Sequence, residues 1–157
     1  MMQEVRRVIS VIVMNESSVL ARVSGLFAGR GYNIESLTVA PIPRGNLSRI
    51  TIVTKGSNRV IEQITKQLNK LVSTLKVIEH EEMVEKEMVL IKFSNQENIS
   101  DIQALSSAYN GGIVNVGEGV IIVMAADESK RIENFIAATH RYNPIEVVRG
   151  GIVAIER

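Results

Sequence analysis

One order of hydrophobic patterns runs through this chain twice, and that doubling limits the available folds more than any single residue does. Residues 8–14 form an apolar run of strand length broken only by Ser10, and Asn15-Glu16-Ser17-Ser18 follows as turn and helix-start chemistry. Val19, Val23, Leu26 and Phe27 then share one helical face, with Gly31 where a C-terminal cap belongs. Residues 34–40 read as a second strand and 41–46 as a loop. A third strand, 47–54, has Ile50 and Ile52 alternating with Thr51. Asn58 is the expected cap of a helix carrying Val60, Ile61, Ile64, Leu68 and Leu71, and 72–78 closes the half as a strand. The order is β-α-β-β-α-β.

The second half repeats this order without evident residue identity. Residues 88–93 are a strand, and Ser100-Asp101-Ile102-Gln103 is the expected capping-box start of a helix presenting Ile102, Leu105 and Tyr109. Gly111-Gly112 is the expected end of that helix. Residues 113–116 and 120–125 flank Gly117-Glu118-Gly119 as a hairpin, and Ile132, Phe135 and Ile136 mark another helix. Two last strands, 145–148 and 152–155, are separated by a turn at Gly150-Gly151. The predicted class is α+β: two ferredoxin-like βαββαβ sandwiches, each with both helices on one face of an antiparallel sheet.

Charge separates the halves further. The 18 basic and 17 acidic side chains nearly cancel over 157 residues, which excludes an acidic tail or a strongly basic polyanion binder. Residues 1–80 nevertheless carry a net +6 and residues 81–157 a net −5. The switch falls in Glu79-His80-Glu81-Glu82 and predicts domains at 1–80 and 81–157. Domains of this size are marginal alone, and an open sheet edge is a template for another chain, so an edge-to-edge homodimer is expected.

Several chemistries are excluded. The chain has no Cys, so disulfides, thiolate metal sites and a cysteine nucleophile drop out. His80 reads as a solvated linker residue and His140 as a helix-end residue, and no nucleophile–base arrangement can be assembled around either. Glu85, Glu87, Asp127 and Glu128 read as exposed charge at strand and helix starts. Gly29-Arg30-Gly31 follows a helix, whereas a dinucleotide fingerprint follows a strand. An RNA-binding sheet of this class stacks bases on aromatic residues of its central strands. Residues 8–14 and 47–54 contain none, and Phe93 reads as core. Apolar runs such as 120–126 are far short of the roughly 20 residues a membrane span needs, and residues 1–7 show no cleavage pattern. A soluble, cytoplasmic protein is expected.

Asn15-Glu16-Ser17-Ser18-Val19-Leu20 is left over. Free N–H groups at a helix start favour a carboxylate, Asn15 offers an acceptor for an ammonium group, and the neighbouring aliphatic residues suit a branched side chain. An amino acid meets these demands. An ordinary N-cap explains Asn15 and the two serines equally well.

Longer motifs go beyond this. Ser10-Val11, Asn15-Glu16-Ser17, Leu20-x-Arg22-Val23-x-Gly25-Leu26-Phe27 and Arg30-Gly31-Tyr32-Asn33-Ile34-Glu35-Ser36-Leu37-Thr38-Val39 resemble the small regulatory subunits of acetolactate synthase (acetohydroxyacid synthase). Leu47-Ser48-Arg49, Gln63-x-x-Lys66-Gln67-Leu68-x-Lys70-Leu71-Val72 and Glu87-Met88-Val89-Leu90-Ile91-Lys92 continue the resemblance. It implies an ACT domain over residues 1–80, which binds an amino acid, and the family's C-terminal ferredoxin-like domain over residues 81–157.

It also implies a non-catalytic chain that dimerises through its ACT domains. Such a chain binds and activates the catalytic large subunit and confers feedback inhibition by valine or another branched-chain amino acid. Thiamine diphosphate, Mg²⁺ and FAD are expected in that partner and no cofactor here. The implied effector residues are Asn15, Ser18, Val19 and Leu20 of one protomer, facing Asn33 and Ile34 of the other. Ser18 stands where the family usually has Gly, which permits close approach and unusual φ. Overpacking of roughly 1–3 kcal/mol there would weaken binding about 5- to 150-fold. A stand-alone ACT-type amino-acid sensor without a catalytic partner is the alternative reading.

Overall fold

The computed structural model describes residues 3–79 and 82–157. Its first sheet is built from β1 (Val5–Met14), β2 (Ile34–Pro41), β3 (Leu47–Gly56) and β4 (Thr74–Glu79), with α1 (Val19–Gly29) and α2 (Asn58–Lys70) in the crossovers. The strands lie in the order β2-β3-β1-β4, and the β1–β3, β1–β4 and β2–β3 pairs are antiparallel. The second sheet is built from β5 (Met83–Ser94), β6 (Gly111–Gly117), β7 (Val120–Asp127) and β8 (Glu146–Glu156). It follows the order β6-β7-β5-β8, and α3 (Ile99–Ala108) and α4 (Ser129–Thr139) belong to it. Both halves are βαββαβ sandwiches of the expected ferredoxin-like class. The chain divides into two compact units, Glu85–Val153 and the residues up to Val84 together with Ala154–Arg157. The boundary predicted at 80/81 falls on His80 and Glu81, outside the described residues.

The period-2 pattern of β1 buries Ile9, Val11 and Val13 on one face, and the register puts Ile52 opposite Ile9 and Ile50 opposite Val11. Val19, Val23 and Phe27 of α1 and Ile61, Ile64 and Leu68 of α2 close over them. In the second sheet Val89, Ile91 and Phe93 meet Ile121, Val123 and Ala125, covered by Ile102, Ile132 and Phe135. Each fully buried Val, Leu, Ile or Phe contributes about 1.5–3 kcal/mol of transfer free energy, an upper bound because unfolded chains already bury part of it.

Helix ends are where sequence and structure diverge. Gly31 behaves as expected: its φ is +69°, its N–H reaches Ala28 O at 3.3 Å, and Tyr32 N–H reaches Phe27 O at 2.9 Å. The edge-on Phe27–Tyr32 contact completes this left-handed cap. The N-caps shift. Ser57, not Asn58, caps α2 by accepting from Val60 N–H, and α3 begins under Asn98, whose Oδ1 accepts from Ser100 and Asp101 N–H. Gly111 does not end α3. Asn110 takes the positive φ of 56°, and Gly111 opens β6 because a Cβ there would sit 2.4 Å from Met124 O. β8 is one strand running through Gly150-Gly151 rather than two strands around a turn. Val72, expected at the start of β4, lies outside it.

Candidate functional site

The β1–α1 junction is stitched by backbone bonds. Met14 N–H donates to Ser73 O (2.9 Å), Asn15 N–H to Asn46 O (2.9 Å) and Glu16 N–H to Met14 O (2.9 Å). α1 then starts without a side-chain cap: the Ser18 hydroxyl makes no capping bond, Val19 N–H donates to Glu16 O, and Arg22 N–H to Ser18 O. The N–H groups of Ser17, Ser18, Leu20 and Ala21 therefore meet no partner among the described residues. Uncapped donors at the positive end of a helix attract an anion.

Beside them lies a hollow of about 230 Å³, smaller than the roughly 300–1,000 Å³ that houses drug-sized ligands. Val13, Val19, Leu20, Val39 and Ile50 supply its aliphatic wall, and Asn15, Ser17 and Ser48 its polar rim. Glu16 also lines it, its Oε2 accepting from Ser73 Oγ at 3.3 Å. The hollow thus carries donors without acceptors on one side and a carboxylate on another. That polarity suits a zwitterion with a short aliphatic side chain.

Of the predicted effector residues, Asn15, Val19 and Leu20 line this hollow. Ser18 is next to it and exposed, but does not line it. Its φ of −87° and ψ of −13° are ordinary helical values, so the part of the glycine argument that rested on unusual φ does not apply. Asn33 and Ile34 are elsewhere: Thr54 Oγ1 donates to Asn33 O at 2.7 Å, and Ile34 pairs with Thr54. Ser48 and Thr54 are six residues apart on β3, about 20 Å at strand spacing, so one chain does not bring the two groups together. Val13, Met14, Val39, Ser48 and Ile50 were not singled out from the sequence. Only the strand order, which sets Val13 opposite Ser48 and Val39 opposite Ile50, gathers them.

The second sandwich corrects another expectation. Glu87 and Asp127 are not exposed; they are 3% and 2% accessible and face each other across β5 and β7. Glu87 accepts from the Arg149 guanidinium through both oxygens and from Ser129 Oγ at 2.8 Å. Asp127 accepts from Arg131 Nε, Asn110 Nδ2 (3.0 Å), Glu128 N–H (2.8 Å) and Lys86 Nζ (3.4 Å). Arg131, first of all, holds the Asp127 carboxyl down to about 2, with the Glu128 amide and Lys86 adding to it against burial. Arg131 also lies over the Tyr109 ring and donates to Ala108 O, the end of α3. Carboxylates with their lone pairs occupied by fixed donors are staples joining elements rather than proton carriers. His140 is exposed, Phe93 is buried in the core, and no cluster of His, Asp and Glu suited to a metal occurs among the described residues. No helix among the described residues is long and apolar enough to cross a membrane.

Residues 9–76 match the family described as AHAS small subunit-like ACT domain, and residues 86–157 the family described as small subunit of acetolactate synthase. The acetolactate synthase isozyme 3 small subunit of Escherichia coli K12 is 42% identical over 156 residues, taking in 97% of this chain and 96% of that protein. The acetolactate synthase small subunit of Buchnera aphidicola (subsp. Baizongia pistaciae) is 42% identical over 153 residues, covering 95% and 96%. The crystal structure of the acetolactate synthase small subunit from Thermotoga maritima superimposes with a TM-score of 0.89 at 36% identity, covering 98% of both chains.

Proposed function

The chain belongs to the acetolactate synthase small-subunit family, and from that premise we propose that it is a non-catalytic regulatory subunit. It binds and activates the catalytic large subunit, where thiamine diphosphate, Mg²⁺ and FAD reside, and lowers that activity when valine or another branched-chain amino acid is bound. Residues 1–80 act as the effector-binding ACT domain and residues 81–157 as the C-terminal domain of the subunit. The observation that carries the sensing part is the uncapped start of α1 above an aliphatic hollow with Glu16 on its wall.

The effector carboxylate accepts from the amides at Ser17, Ser18 and Leu20, and its ammonium meets Asn15 and Glu16. Its branched side chain lies on Val19, Leu20 and Val39. Asn33 and Ile34 complete the site from a second copy, and the geometry of β2 supports this. That strand is an edge of its sheet and carries the half-exposed Val39. If two copies pair β2 to β2 antiparallel about Leu37, Ile34 of one falls opposite Ala40 of the other, beside Val39 and the hollow.

Adding the purified chain to the catalytic subunit of the same organism should raise its turnover, and valine, leucine or isoleucine should reverse the gain. A chain that binds these amino acids yet captures no catalytic subunit would instead be the stand-alone sensor.

A further inference from the structure

The turn between α2 and β4 displays apolar side chains that the fold does not use. Val72 is 96% exposed and Leu75 56%. Leu75 is outward because the β1–β4 register shifts between Ile12 and Val13, leaving it as the extra residue of a bulge. Bulges on edge strands re-aim side chains and recur beside functional sites. Exposed Lys70 and Lys76 flank the pair.

The same turn is tied to the hollow: Ser73 O accepts from Met14 N–H at 2.9 Å, and Ser73 Oγ donates to Glu16 Oε2 at 3.3 Å. Thr74 Oγ1 is buried with no hydrogen-bond partner among the described residues, which leaves the turn one bond short of a settled arrangement.

We infer that Val72 and Leu75 form the knob by which this chain docks on the catalytic subunit, entering an apolar socket with an acidic rim that meets Lys70 and Lys76. The inference rests on the regulatory-subunit reading above and adds the route by which the effector acts. A ligand ammonium that draws on Glu16 loosens its bond to Ser73 and moves the knob. Anchor residues in the centre of an interface carry most of its energy, so one substitution at Val72 is a sharp probe. Its side chain lies in solvent, so the isolated variant keeps the wild-type melting temperature.

The test titrates catalytic turnover against concentration of the intact chain. Val72→Asp is expected to need at least tenfold more chain for half-maximal activation, Val72→Ala less, with both binding valine as the wild type does. Lys76→Glu is expected to weaken the titration most at low salt. Ser73→Ala breaks the same bond without ligand, so it is expected to activate less than wild type in the absence of valine and to lose most of the further inhibition by saturating valine. If wild type activates and Val72→Asp titrates identically, the docking surface is wrong and the regulatory reading stands. If wild type itself neither binds nor activates, both fall. Unchanged inhibition in Ser73→Ala overturns the route through Glu16.

Discussion

At Ser18 two objections to a side chain in a ligand cradle come apart. Its backbone is helical, so no strain follows from the missing glycine, and only crowding of the approaching carboxylate remains. Ser18→Gly should therefore tighten valine binding about fivefold or more by calorimetry, and unchanged affinity would place the ligand away from these amides. Asp127 carries a second prediction. Its carboxyl titrates near 2 in the fold against 3.8 as a free group, so the folded chain keeps a charge that the unfolded chain begins to lose. The contribution is complete above about pH 4 and disappears as pH falls toward about 2. It amounts to about 1 kcal/mol, since the half-exposed Arg131 is screened by solvent. Thermal melts of wild type and Asp127→Asn should draw together below about pH 4 and meet near about pH 2, and a gap that stays constant from neutrality downward would contradict the assignment. Neither this carboxylate nor Glu87 was legible in the sequence. Glu87 is buried by an arginine 62 residues away, and local pattern carries no sign of such a partner.

Among the elements, type and order were legible because the apolar runs at 8–14 and 120–125, the alternation within 47–54 and the helical spacing over 58–71 all mark buried positions. The caps were less so, since Asn, Ser and Asp all serve and the competing candidates lie only one or two residues apart. Asn98 and Ser100 make the distinction measurable. Asn98→Ala removes the acceptor of two α3 amides and should cost about 1 kcal/mol, seen as a lower urea midpoint, while Ser100→Ala stays within about 0.5 kcal/mol. The reverse ranking would restore the capping box expected at Ser100. Part of the lining of the hollow was hidden for a related reason: Val39, Ser48 and Ile50 join Val13 only once β3 is known to lie between β2 and β1.

For the whole molecule, the proposed effector site is one that a single chain cannot complete. Asn15 to Leu20 and Asn33-Ile34 occupy opposite ends of the first sheet, and β2 offers a free edge through which a second copy can join them. Complementation tests this most directly. Leu20→Asp spoils the cradle and Asn33→Ala the corner, so each variant alone should give no heat with valine where wild type binds. In co-expressed, randomly paired dimers, half of the molecules are mixed and each regains one intact site, so about a quarter of the wild-type sites should return in calorimetry. No recovery in the mixture, from a wild type that does bind, would show that each chain holds its ligand alone and would contradict the shared site.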